Sequence, residues 1–391
     1  MVLKNRLCER GNKDRVFPLY KRDFFDKNNR GLEKYPWLGR RRQKMTDKNF
    51  CMSSYLAFRY VEKDGVDFYP ELHHQNIVPI GDDKKTPVRT ADDIDKAIQK
   101  TFDGLFEENK KYGILLSGGM DSAILASYMK GCDAYTFRFL GGDFAKEELE
   151  RAEYYARHYG LNLHYVDLDW NAQMKHLDAV VEAKNAPVHS IEPQLYSAAM
   201  QAKDDGVEHL VIGESSDLVF GGMDKLLAKE WTLEEFKNRY MFTNPFDVLK
   251  EPVSMDYLFE RYRLPSDRID FLSFMDNVFS IESSSSYFNA FKVAEIPYTD
   301  PYASLKMADP LDLNRVRNGE PKYLIRELFH KKYPEIPIPN KVPMPRPVDF
   351  YFEDWGGVLR GEFKNIDIKK FSGNQKWQLF CLEYFLNKYD K

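Results

Sequence analysis

Cysteine is scarce in this chain: Cys8, Cys51, Cys132 and Cys381 are scattered through 391 residues, with no CxxC pair. That excludes a disulfide framework and a zinc knuckle, and it suits a reducing compartment. Long hydrophobic runs are also missing. No stretch approaches the roughly 20 apolar residues that a membrane-spanning helix needs, and residues 1–15 lack the apolar centre of a signal peptide. Nor does charge of one sign dominate: 57 Lys and Arg against 61 Asp and Glu leave a net charge of −4. Without a global positive field, composition gives no reason to expect a nucleic-acid partner, and the run Arg40-Arg41-Arg42 reads as a solvated face. No internal repeat or low-complexity segment is present. Together these absences predict a cytoplasmic globular protein.

What is abundant is aromatic: 28 Phe, 24 Tyr and 5 Trp, compatible with a large core, an interface or a carbohydrate-facing cleft. Residues 1–85 read as a small N-terminal appendage, with a strand-like stretch at 55–60 and a turn at Asp64-Gly65. Thr90, with Asp93 three residues on, predicts a capped helix running to about Glu108. Strand and helix patterns then alternate. Strands are expected at 112–116, 134–139, 162–167 and 209–212, and helices at 121–129, 146–158, 172–183 and 194–205. Such alternation predicts an α/β fold with a parallel sheet and helices on both faces. Residues 225–391 look mostly helical, interrupted by a proline-rich stretch at 334–347. The expected divisions are 1–85, 86–350 and 351–391.

The chemistry concentrates in Gly113-Ile114-Leu115-Leu116-Ser117-Gly118-Gly119-Met120-Asp121-Ser122. A buried strand runs into a glycine turn that opens a helix. Glycines allow close approach of the backbone to an anion, and the helix N-terminus directs its free N–H groups there. Ser117 and Ser122 add hydroxyls. Asp121 would repel a bare phosphate, so it makes sense as a ligand of Mg²⁺ carried by that phosphate. The loop lacks the lysine of a Walker P-loop and the GxGxxG of dinucleotide-binding folds.

The segment resembles the pyrophosphatase loop of the N-type ATP pyrophosphatases, which cleave ATP between the α and β phosphates. A second block, Val211-Ile212-Gly213-Glu214-Ser215-Ser216-Asp217-Leu218-Val219-Phe220-Gly221-Gly222, is similar to that of the asparagine synthetases and of the β-lactam and carbapenam synthetases. Upstream, Glu192-Pro193-Gln194-Leu195-Tyr196 resembles the helix that lines the family's cleft. A third block runs from Lys322-Tyr323-Leu324-Ile325-Arg326 through Phe329 to Pro339-Asn340-Lys341, parallel to the family's K-x-x-L-R-x-x-F and R-x-K series. The resemblance spans about residues 85–350. It implies an adenine nucleotide alpha hydrolase-like (PP-loop) sheet core closed by a mostly helical C-terminal part. It also implies ATP at Leu116, Ser117, Gly118, Gly119, Asp121, Ser122, Phe139 and Gly213, Mg²⁺ on Asp121 and Asp217, and catalytic roles for Glu214, Lys322 and Lys341. On this reading Lys322, Arg326 and Phe329 share a helix face.

The departures from the family matter as much. Val2 stands where glutamine-dependent relatives carry a Cys nucleophile, and too few residues precede the loop for a glutaminase domain. The expected nitrogen donor is therefore ammonia, from solution or a separate glutaminase, or another amine. Leu218 replaces an acid, and Glu295 replaces an arginine ahead of Pro297-Tyr298-Thr299-Asp300. A reversed charge in the cleft predicts a carboxylate other than aspartate, such as a uronic acid in polysaccharide synthesis or a secondary-metabolite acid. The expectation is an AMP-forming amide ligase. The alternatives are ammonia-dependent asparagine synthesis, a sulfur transferase, which would need a reactive cysteine pair, and a non-catalytic nucleotide-binding scaffold.

Overall fold

The computed structural model describes residues 45–142, 144–340 and 344–390. Five parallel strands make the central sheet, in the spatial order Asn162–Leu168, Asp133–Phe139, Tyr112–Leu115, His209–Val211 and Tyr298–Thr299. Counted along the chain, that order is 3-2-1-4-5. It is the doubly wound arrangement, in which connections depart to opposite sides of the first strand and leave a crevice beyond its carboxyl end.

Side-chain alternation explains why both sheet faces are covered. Ile114 and Val211 point to one face, among Ile124, Leu125 and Tyr155. Tyr135 and Leu210 point to the other, among Leu195 and Phe291. The predicted helix start is present: Ala91–Phe106 opens with a capping box between Thr90 and Asp93 and buries Ala91, Ile94, Ile98 and Phe102, the spacing of one helical face.

Two expectations need correction. Residues 55–60 are not a strand: most of that stretch lies in the helix Lys48–Phe58, and every residue from Phe50 to Phe58 is buried. A helix buried on all sides shows neither a two-residue nor a 3.6-residue period, so its sequence pattern is ambiguous. Strands also occur beyond residue 225. Tyr298–Thr299 completes the main sheet, and Leu305–Met307 pairs in parallel with Thr86–Val88. Two or three residues are too few to carry a periodic signal.

The described part of the expected appendage packs deep in the molecule. Tyr55 and Phe58 share a core with Phe236, Phe259, Trp377 and Phe385. Gln378, on the last helix, Gly373–Tyr389, donates from Nε2 to the Tyr55 carbonyl at 3.2 Å. One helical body is thus built from residues 48–68, 226–279 and 348–386, set against the sheet domain. Among the described residues no helix is long and apolar enough to cross a membrane.

Candidate active site

The crevice opens between Tyr112–Leu115 and His209–Val211, where the strand order reverses. Both motif-bearing loops leave the sheet there. Ser117 to Gly119 links the first strand to the helix Met120–Ala126, whose first turn carries no side-chain cap. The serines brace this loop. Ser122 Oγ accepts from the Ser117 N–H at 3.0 Å and lies 3.0 Å from Ser117 Oγ, which accepts from the Gly119 N–H at 3.1 Å. Ser122 is buried and shapes the turn, whereas Ser117 is exposed to the cavity.

Gly118 is required by packing. A Cβ there would lie 2.7 Å from Glu148 Cα and collide with the Glu148 carbonyl oxygen. Arg151 Nε fastens the same turn by donating to the Gly118 carbonyl at 2.9 Å. Burial pushes the Glu148 carboxyl up to about 7.

The second loop brings Glu214 and Asp217 to the same end of the sheet. Buried Asp300, after the last strand, accepts from the Ser215 N–H at 2.7 Å, and burial raises its pKa to about 6. Asp121 Oδ1 accepts from Ser216 Oγ at 2.6 Å. The central feature is Lys322. Its Nζ lies 2.6 Å from Asp121 Oδ2 and 2.5 Å from Asp217 Oδ1, and the residue is only 5% exposed. Burial pushes this ammonium down, but the two carboxylates outweigh it and hold the pKa above the usual lysine value. Lys322 takes a left-handed backbone (φ 54°) at the head of the helix Tyr323–Lys332, so it is not one of a row of surface cations. Phe329 is fully buried in the core, and Arg326 lines the cavity.

Glu214 has a different environment. It is hydrogen-bonded by Ser283 Oγ and by Tyr287, yet desolvation raises its carboxyl to about 7, helped by the nearby charges of Asp217 and Asp300.

Leu116, Ser117, Gly118, Gly119, Asp121, Ser122, Phe139 and Gly213 all line one cavity of about 580 Å³, together with Lys322 and Arg326. A second cavity, of about 670 Å³, shares Glu214, Asp217, Tyr287 and Met344 with the first. Lys341 lies outside the described residues. Glu295 is not in the crevice: it caps the helix Ser280–Ala294 on the surface, 3.5 Å from Lys203, so its reversed charge does not act on the cleft. Leu218 packs against the helical core instead of the cavity. The Cys132 thiol is half-buried and raised by burial, and the described residues hold no second cysteine beside it to make a reactive pair.

Sequence reasoning missed Ser216, Ser283, Tyr287, Arg59 and Arg346. Ser216 sat inside the second motif and was legible there; the others carry no local signal.

Asp121 and Asp217 pass a chemical test for Mg²⁺. Two hard carboxylate donors converge on one point that already attracts a cation, and Mg²⁺ commonly takes one or two carboxylates with phosphate oxygens and water completing its shell. Among the described residues no group of three or more His, Cys, Asp or Glu makes a closed metal cage.

None of the curated proteins compared with the chain matches it. Distant structural likenesses include an NMN synthetase from Francisella tularensis, at 10% identity and TM-score 0.27, covering 66% of this chain and 100% of that one. An NH₃-dependent NAD synthetase from Campylobacter jejuni gives 13% identity and TM-score 0.25, with the same coverage. A U34-tRNA thiolase from Methanococcus maripaludis gives 17% identity and TM-score 0.26, over 64% of this chain and 82% of that one. The asparagine synthase family model matches residues 93–275, a span that carries both glycine-rich loops, Asp121, Glu214 and Asp217, and it supports an ATP-dependent, ligase-type activity. Residues 93–275 are thus similar to the asparagine synthase family.

Proposed function

We propose that this protein is an ATP-dependent carbon–nitrogen ligase that adenylates a carboxylic acid and passes the acyl group to ammonia or another amine. The observation that carries the reading is the junction of the two cavities at Glu214 and Asp217, beside the glycine loop. One cavity has the backbone and cation chemistry for a triphosphate; the other leaves room for an acid to approach the α-phosphorus.

In the first step a carboxylate oxygen bonds to the α-phosphorus as the α–β bridging bond breaks, and pyrophosphate leaves. The glycine loop orients the phosphates, and Lys322 and Arg326 neutralise charge gathering on the leaving group. Asp121 and Asp217 would hold Mg²⁺ with the nucleotide, and that ion, when bound, neutralises phosphate charge. Lys341 follows the cavity-lining Pro339 and Asn340 in the chain, and we assign it to the oxyanion of the second step. There the amine nitrogen attacks the acyl carbon, Glu214 takes a proton from it, and AMP departs with the bonding electrons. A carboxyl poised near 7 is suited to that transfer. Adenine would lie by Leu116, Phe139 and Gly213.

The test uses an acid panel labelled with ¹⁸O in the carboxylate. Transfer of label into AMP, with pyrophosphate as the other product, is expected. ADP and phosphate as products, or unlabelled AMP, would refute adenylation. Turnover with aspartate alone would favour ammonia-dependent asparagine synthesis.

A further inference from the structure

About half of the residues that line the second cavity come from outside the span matched to the asparagine synthase family. Arg59 comes from the end of the helix Lys48–Phe58, Arg346 from the approach to the C-terminal body, and Asn374 and Trp377 from the last helix. Neither arginine lines the nucleotide cavity.

Arg59 occupies a position where helices usually end in glycine. It adopts a left-handed backbone (φ 64°), a strained state for a residue with a Cβ. The backbone strain delivers the guanidinium into a built setting. It stacks 3.5 Å over the Phe242 ring, lies 2.8 Å from Glu282 Oε1, and donates from Nη1 to His189 Nε2 at 2.6 Å. Its buried Nε has no acceptor in hydrogen-bonding line, despite the nearby carboxylate. Arg346 donates from Nε to Asn374 Oδ1 at 2.7 Å and makes no ion pair among the described residues. Burial, and then the like charge of Arg59, lower its pKa to about 10.

Two further cations, Lys225 and Arg239, stand exposed on the cavity lining. Against these four the cavity presents three carboxylates. Glu282 serves Arg59, Asp217 shares Lys322 with Asp121, and Glu214 is hydrogen-bonded by Ser283 and raised to about 7. His189 is held neutral by burial and by its cationic neighbours. The surplus is positive, and it lies on groups that gain from an anionic occupant. Size adds a second constraint. A cavity of about 670 Å³ lies within the range of roughly 300–1,000 Å³ typical of sites for drug-sized ligands, larger than an amino acid fills. Ser283, Ser286 and Asn374 supply hydroxyl and amide groups along the same lining.

We infer that the second cavity takes an acyl substrate the size of a sugar acid, carrying a second anionic group besides the reacting carboxylate, and that Arg59 and Arg346 seat that group. The inference rests on the adenylation reading for the cavity's role. A carboxylate and a phosphate ester share the required chemistry, and Arg59 and Arg346 together can grip either through paired N–H donors.

The experiment is calorimetric titration of the full chain saturated with Mg²⁺ and the α,β-methylene analogue of ATP. Four probes are compared: D-glucuronate, D-glucarate, D-glucuronate 1-phosphate and L-aspartate. At least one of the two dianionic sugar acids is expected to bind tenfold or more tightly than D-glucuronate and than L-aspartate; which one identifies the anion. Arg346→Gln should erase that preference without changing affinity for the nucleotide analogue. Lys225→Gln, at an exposed position on the same lining, should weaken the dianion about threefold. Equal affinity for mono- and dianions, preference for L-aspartate, no binding of any probe, or a preference that survives both substitutions would overturn the inference. Failure of the nucleotide analogue to bind would count against adenylation instead, so the two failures are separable.

Discussion

Replacing Lys322 with methionine removes one ammonium while keeping an unbranched side chain of similar length. In the native protein that ammonium lies 2.6 Å from Asp121 and 2.5 Å from Asp217, so the variant takes away the cation that the two carboxylates share. Breaking a buried ion pair by deleting one partner costs about 3–5 kcal/mol. The Asp121 and Asp217 side chains retain 22% and 35% exposure, and water will solvate part of their charge. The low end, about 3 kcal/mol, is therefore expected. For a chain this long that corresponds to a melting temperature lower by roughly 4 °C. The same geometry predicts a gain of function towards metal. With the ammonium gone, Mg²⁺ alone can occupy the point between the carboxylates, and at ten times its dissociation constant it returns about 1.4 kcal/mol. In the native protein Lys322 holds that point, and Mg²⁺ without nucleotide should add nothing. Thermal denaturation of both proteins, nucleotide-free, with and without MgCl₂, tests the chain of argument. A variant that melts with the native protein, or an equal Mg²⁺ effect on both, would refute it.

Gly222→Ala would place a Cβ against Asp217 Oδ1 and Lys322 Cε and 2.9 Å from Asp217 Cα, so the ion triad must open. Pyrophosphate formation should fall about a hundredfold, the scale of losing one preorganised electrostatic contact, and a fully active variant would contradict the role of the triad. Glu214 titrates near 7 and acts as its carboxylate, so the logarithm of the amide-forming rate should rise with unit slope below that pH and level off above it. Glu214→Gln should be about a hundredfold slower and flat across the same range; an unchanged inflection would transfer the titration to another group, Glu148 being the nearest in value. Gly118→Ala collides with the Glu148 backbone, so it should abolish nucleotide binding in equilibrium dialysis, whereas tight binding would remove the loop from the site.

The sheet domain was largely legible because its elements are local. The strand at Tyr112–Leu115, the cap at Thr90 and the alternation of helices and strands to Val211 depend on residues adjacent in the chain. The helix Lys48–Phe58 was misread because burial on every side erased its period. Glu295 was assigned to the cleft by its place in a motif, but its left-handed cap turns it to the surface beside Lys203.

The sequence by itself determined the local frame of the loop: a glycine turn between strand and helix presents backbone N–H groups, with Asp121 beside it, while Glu214 and Asp217 were singled out by resemblance to the family's second motif. Only the tertiary structure decided how the charges are shared. Lys322 reaches Asp121 across 201 positions, and Arg59 meets His189 across 130, because the doubly wound sheet and the helical body bring distant segments to one crevice. Spacing along the chain states which charges exist. Their burial and their partners, which govern whether a cation faces a phosphate, a metal seat or an acid, arise when the segments pack.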